Sequence, residues 1–151
     1  MKTGETFNFI RLTDLDTRSG IPGADIDAVG AIGGAMLLSL DSAVLFDSGS
    51  ASLRENASEA IKELSNQIKG FSKGSIMVQG HTDSDGNSKS NMTLSKARAQ
   101  SVAKELKKYV SSSFIINAEG IGESQTLAPN DTDENKQKNR RVEILITPTS
   151  N

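Results

Sequence analysis

Apolar positions recur along this 151-residue chain at two spacings, and the switch between them marks the elements. Ser75-Ile76-Met77-Val78-Gln79 alternates as a strand does, and Phe114-Ile115-Ile116 opens another. Val142, Ile144 and Ile146 alternate with Arg141, Glu143 and Leu145 in a last strand ending at Pro148. Met36 to Leu40 and Ala43 to Phe46 predict a first strand or pair, before Asp47-Ser48-Gly49-Ser50 turns the chain. Leu53, Ala57, Ile61, Leu64 and Ile68 then follow helical spacing, with Ser52 and Glu55 as a capping box and Gly70 suited to a left-handed C-terminal cap. A second helix, about Asn91 to Val110, sets Ser95, Ala99, Val102, Leu106 and Tyr109 or Val110 on one stripe. Lys96, Gln100, Lys104, Lys107 and Lys108 fall on its solvated side.

The order strand, helix, strand, helix, strand, strand predicts an α/β fold of the α+β kind, with right-handed crossovers, parallel strand pairs and helices stacked on the sheet. Residues 1–35 read differently. Asp14, Asp16, Asp25 and Asp27 alternate with apolar or small residues, and Gly20, Pro22, Gly23, Gly30, Gly33 and Gly34 punctuate them. This is a loop-rich lead-in of unassigned role, with room for a short strand at Phe7-Asn8-Phe9-Ile10 and open to being the tail of an upstream region.

Length allows one domain plus an extension. Lys and Arg total 17 against 19 Asp and Glu, a net charge of −2, so no global basic field exists for a nucleic acid. Cysteine is absent, which removes disulfides, zinc-thiolate sites and cysteine nucleophiles and leaves the redox compartment open. The weakly polar stretch Ala28–Leu40 is shorter than the about 20 apolar residues of a spanning helix. Met1-Lys2 is followed by polar Thr3-Gly4-Glu5-Thr6 without the apolar core of a secretory signal, so the chain reads as mature or excised, any membrane anchor lying upstream.

The candidate chemistry sits in Gly80-His81-Thr82-Asp83-Ser84-Asp85-Gly86, then Asn91 and Leu94-Ser95-Lys96-Ala97-Arg98-Ala99. The loop follows a strand's carboxyl end, where open α/β sheets bind ligands. Asp83 on the loop and Arg98 in the next helix put one acid and one guanidinium about a shared hollow. That pair matches a free amino-acid end, because an ammonium seeks a carboxylate and a planar guanidinium grips a carboxylate through two parallel bonds. An isolated surface ion pair is the bland alternative, worth about 0–1 kcal/mol.

These residues resemble the OmpA C-terminal family, the peptidoglycan-associated domains of bacterial envelopes. The family pattern is a G-H-T-D loop, an L-S-x-x-R-A helix and a late N-R-R-V-E strand, and all three occur here in that order, the last at Asn139-Arg140-Arg141-Val142-Glu143. The resemblance covers about residues 36–148, leaves 149–151 as a tail, and implies a two-layer βαβαββ sandwich with a mixed sheet. It implies non-catalytic binding of peptidoglycan through the diaminopimelate of its stem peptide, Asp83 taking the ammonium and Arg98 the carboxylate. Thr82, Asn91 and Leu94 then line the pocket, and Arg140 stands where the family has a further basic residue. Ser90 departs from a common aromatic, and Asp85 adds an acid that should tilt the pocket toward cations. The implied setting is the periplasm, anchoring an envelope protein to the wall without a cofactor. The turn Leu45–Ala51 resembles the versions in flagellar stator and secretion-system proteins. An interaction or oligomerisation module that keeps the fold without wall binding is the alternative, and a homodimer stays open.

Other chemistry finds less support. His81, the sole histidine, reads as a satisfied structural group, and Ser84, Ser88 and Ser95 lack an evident base, so an enzyme is disfavoured. Asp83-Ser84-Asp85-Gly86-Asn87 imitates a calcium loop, but glycine falls at the fourth position and Leu94 replaces the bidentate glutamate. The lead-in aspartates default to turns and solvated positions, so no metal is assigned. Asp131–Glu134 followed by Lys136, Lys138, Arg140 and Arg141 reads as a solvated loop, Arg140 excepted.

Overall fold

Alternation of apolar and polar residues produces strands that each bury one side. In β3 (Gly74–His81), Ile76 and Val78 are buried, and in β5 (Arg141–Pro148) so are Val142, Ile144 and Ile146. The computed structural model describes residues 26–32 and 35–149. Its other elements are strands β1 (Ile26–Ile32), β2 (Ala35–Asp41) and β4 (Phe114–Gly122), and helices α1 (Ser42–Leu45), α2 (Ala57–Ile68), α3 (Ser88–Leu106) and α4 (Asp133–Asn139).

The five-stranded sheet runs β1-β2-β5-β3-β4. It is mixed: β3 and β4 are parallel neighbours joined across α3, whereas β5 lies between β2 and β3 and is antiparallel to both. Leu38 and Leu40 of β2 join the β3 and β5 residues under Ala57, Ile61, Leu64 and Ile68 of α2 and Ala99, Val102 and Leu106 of α3 in one apolar core. The expected α+β architecture, a mixed sheet with helices packed on it, is present. No described helix is long and apolar enough to cross a membrane.

Several local expectations are corrected. Residues 26–32, read as part of a loop-rich lead-in, form β1, which pairs antiparallel with β2 and carries a bulge between Val29 and Ala31. The proposed strand Phe7–Ile10 lies outside the described residues. Ala43–Leu45 belongs to the one-turn helix α1, because the Asp41 side chain accepts the Ala43 N–H at 2.8 Å and starts a helix where apolar character suggested a strand. The Ser52–Glu55 capping box does not start α2. Leu53 instead bridges Phe46, the Arg54 N–H donates to Leu45 O, and the helix begins at Ala57. Gly70 is not left-handed, and α2 closes with the Phe71 N–H on Ile68 O at 2.9 Å. α3 starts earlier than its apolar stripe, because Asn87 Oδ1 accepts the Lys89 and Ser90 N–H groups, and it stops at Leu106, before Tyr109 and Val110.

Two glycines decide where α3 sits. A Cβ on Gly80 would lie 2.1 Å from Ser95 O, and one on Gly120 would lie 2.6 Å from Lys96 N. Their bare backbones let the helix drop onto the carboxyl ends of β3 and β4, carrying Arg98 with it.

Candidate functional site

The loop after β3 is fastened from both sides. The Thr82 N–H donates to Gly122 O at 2.8 Å, the Gly122 N–H donates to Ser95 Oγ at 2.9 Å, and Ser95 Oγ donates to Met92 O at 2.9 Å. Ser95 is thus a tie between helix and sheet, a role its place in an apolar stripe did not disclose. Gly86, at φ 87°, turns the loop toward α3 where a side chain would be strained.

This framework places Asp83, Thr82, Asn91, Leu94, Arg98 and Arg140, the whole set expected from the sequence, around one cleft of ≈ 530 Å³. Their parts differ. Arg98 is buried, with its Nε donating to Ser50 O at 2.8 Å, its Nη2 donating to Asp47 O at 3.3 Å, and its guanidinium carbon 5.1 Å from the centre of the Phe46 ring. One face of the fork is fixed, and Nη1 has no hydrogen-bond partner among the described residues. Burial lowers the Arg98 pKa, with Arg140 adding to the effect and Asp83 opposing it. An arginine nevertheless stays charged, so the outcome is a desolvated cation.

Asp83 does not pair with Arg98. Its Oδ2 accepts from Arg140 Nη1, and its Oδ1 accepts the Asp85 N–H at 2.9 Å. A carboxylate offers about four lone-pair sites, so Asp83 retains capacity toward the cleft. Asn91 spends its amide on the loop: Nδ2 donates to Asp85 O at 2.9 Å and Glu123 Oε2 at 2.8 Å, with Asp83 O at 3.3 Å. Thr82 is buried, and its hydroxyl donates to Asp83 O.

The tilt toward cations expected of Asp85 is corrected, because Lys136 Nζ lies 3.0 Å from its Oδ1 and offsets that charge. The segment read as a solvated loop therefore belongs to the rim, with Lys136 on Asp85, Gln137 Nε2 donating to Asp41 Oδ2 at 2.9 Å, and Arg140 on Asp83. Sequence reading also missed the opposite wall, Ser42, Ala43 and Phe46 to Gly49. Its only signal was the turn composition of Asp47-Ser48-Gly49-Ser50, which predicts a bend and not its neighbour.

Beneath the loop, His81 is buried and its ring nitrogens make no well-formed hydrogen bond among the described residues, although Nε2 lies 3.3 Å from Glu143 Oε1. The expectation of a satisfied histidine is corrected to that of a loosely engaged one. Burial would raise the Glu143 pKa, but contacts with His81 and with Arg141, whose Nε is 2.8 Å from Oε2, outweigh it and hold the carboxyl at about 2. Among the described residues, no group of three or more metal-ligating side chains gathers.

Comparison with known proteins places the fold in a family. The family model described as "OmpA family" matches residues 45–140. The chain is 36% identical over 113 residues to the probable lipoprotein YiaD of Escherichia coli, covering 75% of this chain and 52% of that one. It is 37% identical over 122 residues to outer membrane porin F of Pseudomonas aeruginosa, covering 80% and 35%. The chain thus spans about half the length, or less, of these curated relatives. Among solved structures, the periplasmic domain of Helicobacter pylori MotB superposes with a TM-score of 0.72 at 29% identity, covering 86% of this chain and 83% of that one. The cell wall anchor of the type VI secretion system of Pseudomonas aeruginosa gives 0.68 at 26% identity, covering 82% and 88%. The family-model match, which takes in β3, β4, both long helices and the rim segment and spans more than half of the chain, establishes that the chain belongs to the OmpA family.

Proposed function

We propose that this domain binds peptidoglycan without catalysis, taking the zwitterionic end of a diaminopimelate residue between Asp83 and Arg98, and so anchors an envelope protein to the wall from the periplasm. The observation that carries the reading is that Arg98 and Asp83 line one cleft without pairing to each other. Arg98 is gripped from behind by two main-chain carbonyls, which leaves three of its five N–H groups for a carboxylate. Asp83 has acceptor capacity beyond Arg140 and the Asp85 amide for an ammonium. A buried guanidinium makes a stronger charge-assisted bond than one in water. Membership of a family of wall-binding domains, and similarity to a structure titled a cell wall anchor, support the same reading.

The test is co-sedimentation of the purified chain with insoluble peptidoglycan, comparing wild type with Asp83→Ala and Arg98→Ala, each verified as folded by thermal melting. Retention should fall at least about tenfold in each, and free diaminopimelate should compete with wild type. Raising ionic strength should weaken the complex, as it does for ionic contacts reached by solvent. Equal retention of all three proteins would remove the proposal.

A further inference from the structure

The end of the domain away from the cleft holds a second hollow, of ≈ 160 Å³. Its walls are Ile68 at the end of α2 and Phe71 after it, Tyr109 and Val110 after α3, and Phe114 at the start of β4, with Lys69 at its edge. Three of the four aromatic residues in 35–149 converge there. The Tyr109 ring is pinned by its hydroxyl, which donates to Glu105 Oε2 at 3.0 Å. The hollow is smaller than the about 300–1,000 Å³ of sites that enclose a whole small molecule, and matches one large apolar side chain.

Charge at this end runs against the chain as a whole. Lys69 lines the hollow, and Lys73, Lys107 and Lys108 stand within two residues of its wall residues Phe71 and Tyr109, in a chain of net charge −2. Glu105, just outside, is already engaged by Lys108 Nζ at 2.9 Å and by Tyr109. A recessed apolar hollow among lysines complements an apolar side chain flanked by carboxylates. A membrane surface fits less well, since insertion needs several protruding apolar groups, and beside the half-buried Phe71, Tyr109 and Val110 only Ile115 protrudes there.

We infer that this basic end docks an acidic peptide segment of a partner protein, which seats one large apolar residue in the Phe71–Tyr109–Phe114 hollow. The wall cleft and this surface lie at opposite ends of the strands, so one domain bridges the wall and a partner.

The probe is a fluorescent peptide with one leucine flanked by two acidic residues on each side, titrated against the full chain by anisotropy. Saturable binding is expected, weakened at least about tenfold by Lys69→Glu with Lys107→Glu, and similarly by Ser111→Trp, which fills the hollow from an exposed position. Replacing the leucine of the probe by serine should cost as much, whereas sedimentation with peptidoglycan should be unchanged in both variants. No binding, or binding indifferent to these changes, overturns the inference. Co-sedimentation with phosphatidylglycerol vesicles in place of peptide binding assigns the end to a membrane, and lysine-dependent self-association assigns it to a second copy. Binding that appears only after Asp14→Asn with Asp16→Asn assigns the hollow to this chain's own lead-in. Each of those three results also overturns it.

Discussion

Asp83 is bonded to Arg140, 57 residues away, and not to Arg98, with which it shares the cleft. The Asp83 side chain is 8% exposed and that of Arg140 37%, so the acid is the anchored partner and the guanidinium the more accessible one. Arg140 therefore acts on the cleft through Asp83, orienting the carboxylate that the proposed ammonium would meet.

That arrangement predicts non-additive losses. Asp83→Ala should lower wall retention at least about tenfold and Arg140→Ala less, while the double variant should match Asp83→Ala alone. Pull-down of the four proteins measures the cycle. Additive losses would mean that Arg140 contacts the wall independently of Asp83.

Gly80→Ala should unseat α3. The new Cβ would sit 2.1 Å from Ser95 O, a main-chain atom that cannot swing aside, so the helix must lift. Overpacking of this kind costs about 1–3 kcal/mol, and displacing the helix also displaces Arg98. Urea denaturation should show the lost stability, and sedimentation with peptidoglycan a lower affinity. An unchanged midpoint would show that the helix is not in close contact with β3.

Stability should drop in acid through Glu143. Its folded pKa of about 2 lies below the ordinary glutamate value of 4.5, so the unfolded chain binds a proton more readily. The contribution is present above about 4.5 and is lost as pH falls from there through about 2. The side chain is 15% exposed, and after discounting for solvent screening the effect is roughly 1–2 kcal/mol. Urea titrations between neutral pH and pH 2 should give a shallower acid slope for Glu143→Gln than for wild type. Parallel slopes would remove Glu143 from the acid response.

Asn139 holds the approach to the rim. Its Oδ1 accepts the N–H groups of Leu127 and Ala128 at 2.8 and 3.1 Å, and its Nδ2 donates to Ala128 O and Asn130 Oδ1, both at 2.9 Å. The residue is fully buried, so Asn139→Ala strands two amides and should cost about 2–4 kcal/mol. Chemical denaturation measures the loss, and a cost below about 0.5 kcal/mol would contradict the network.

The residues of the site were legible because the G-H-T-D loop, the L-S-x-x-R-A helix and the N-R-R-V-E segment are each local words in the sequence. The stripes of α2 and α3 and the alternation in β3 and β5 were legible for the same reason, since periodicity links neighbours in the chain. β1 was not: Gly30 and Asp27 argue against a strand, and its pairing with β2 supplies the backbone partners that make it one. Nor was the start of α2, where the Phe46–Leu53 bridge holds the backbone that a capping box would have used.

The sequence by itself determined the strands β3, β4 and β5, the long helices α2 and α3, and the acid and guanidinium that stand near the end of β3. Only the tertiary structure decided that Arg140 takes Asp83, that Lys136 offsets Asp85, and that main-chain carbonyls of the 47–50 turn grip Arg98. Local periodicity is written in the sequence because it depends on spacing along the chain. Partnership between charges depends on which strands become neighbours, and the sheet makes neighbours of residues dozens of positions apart.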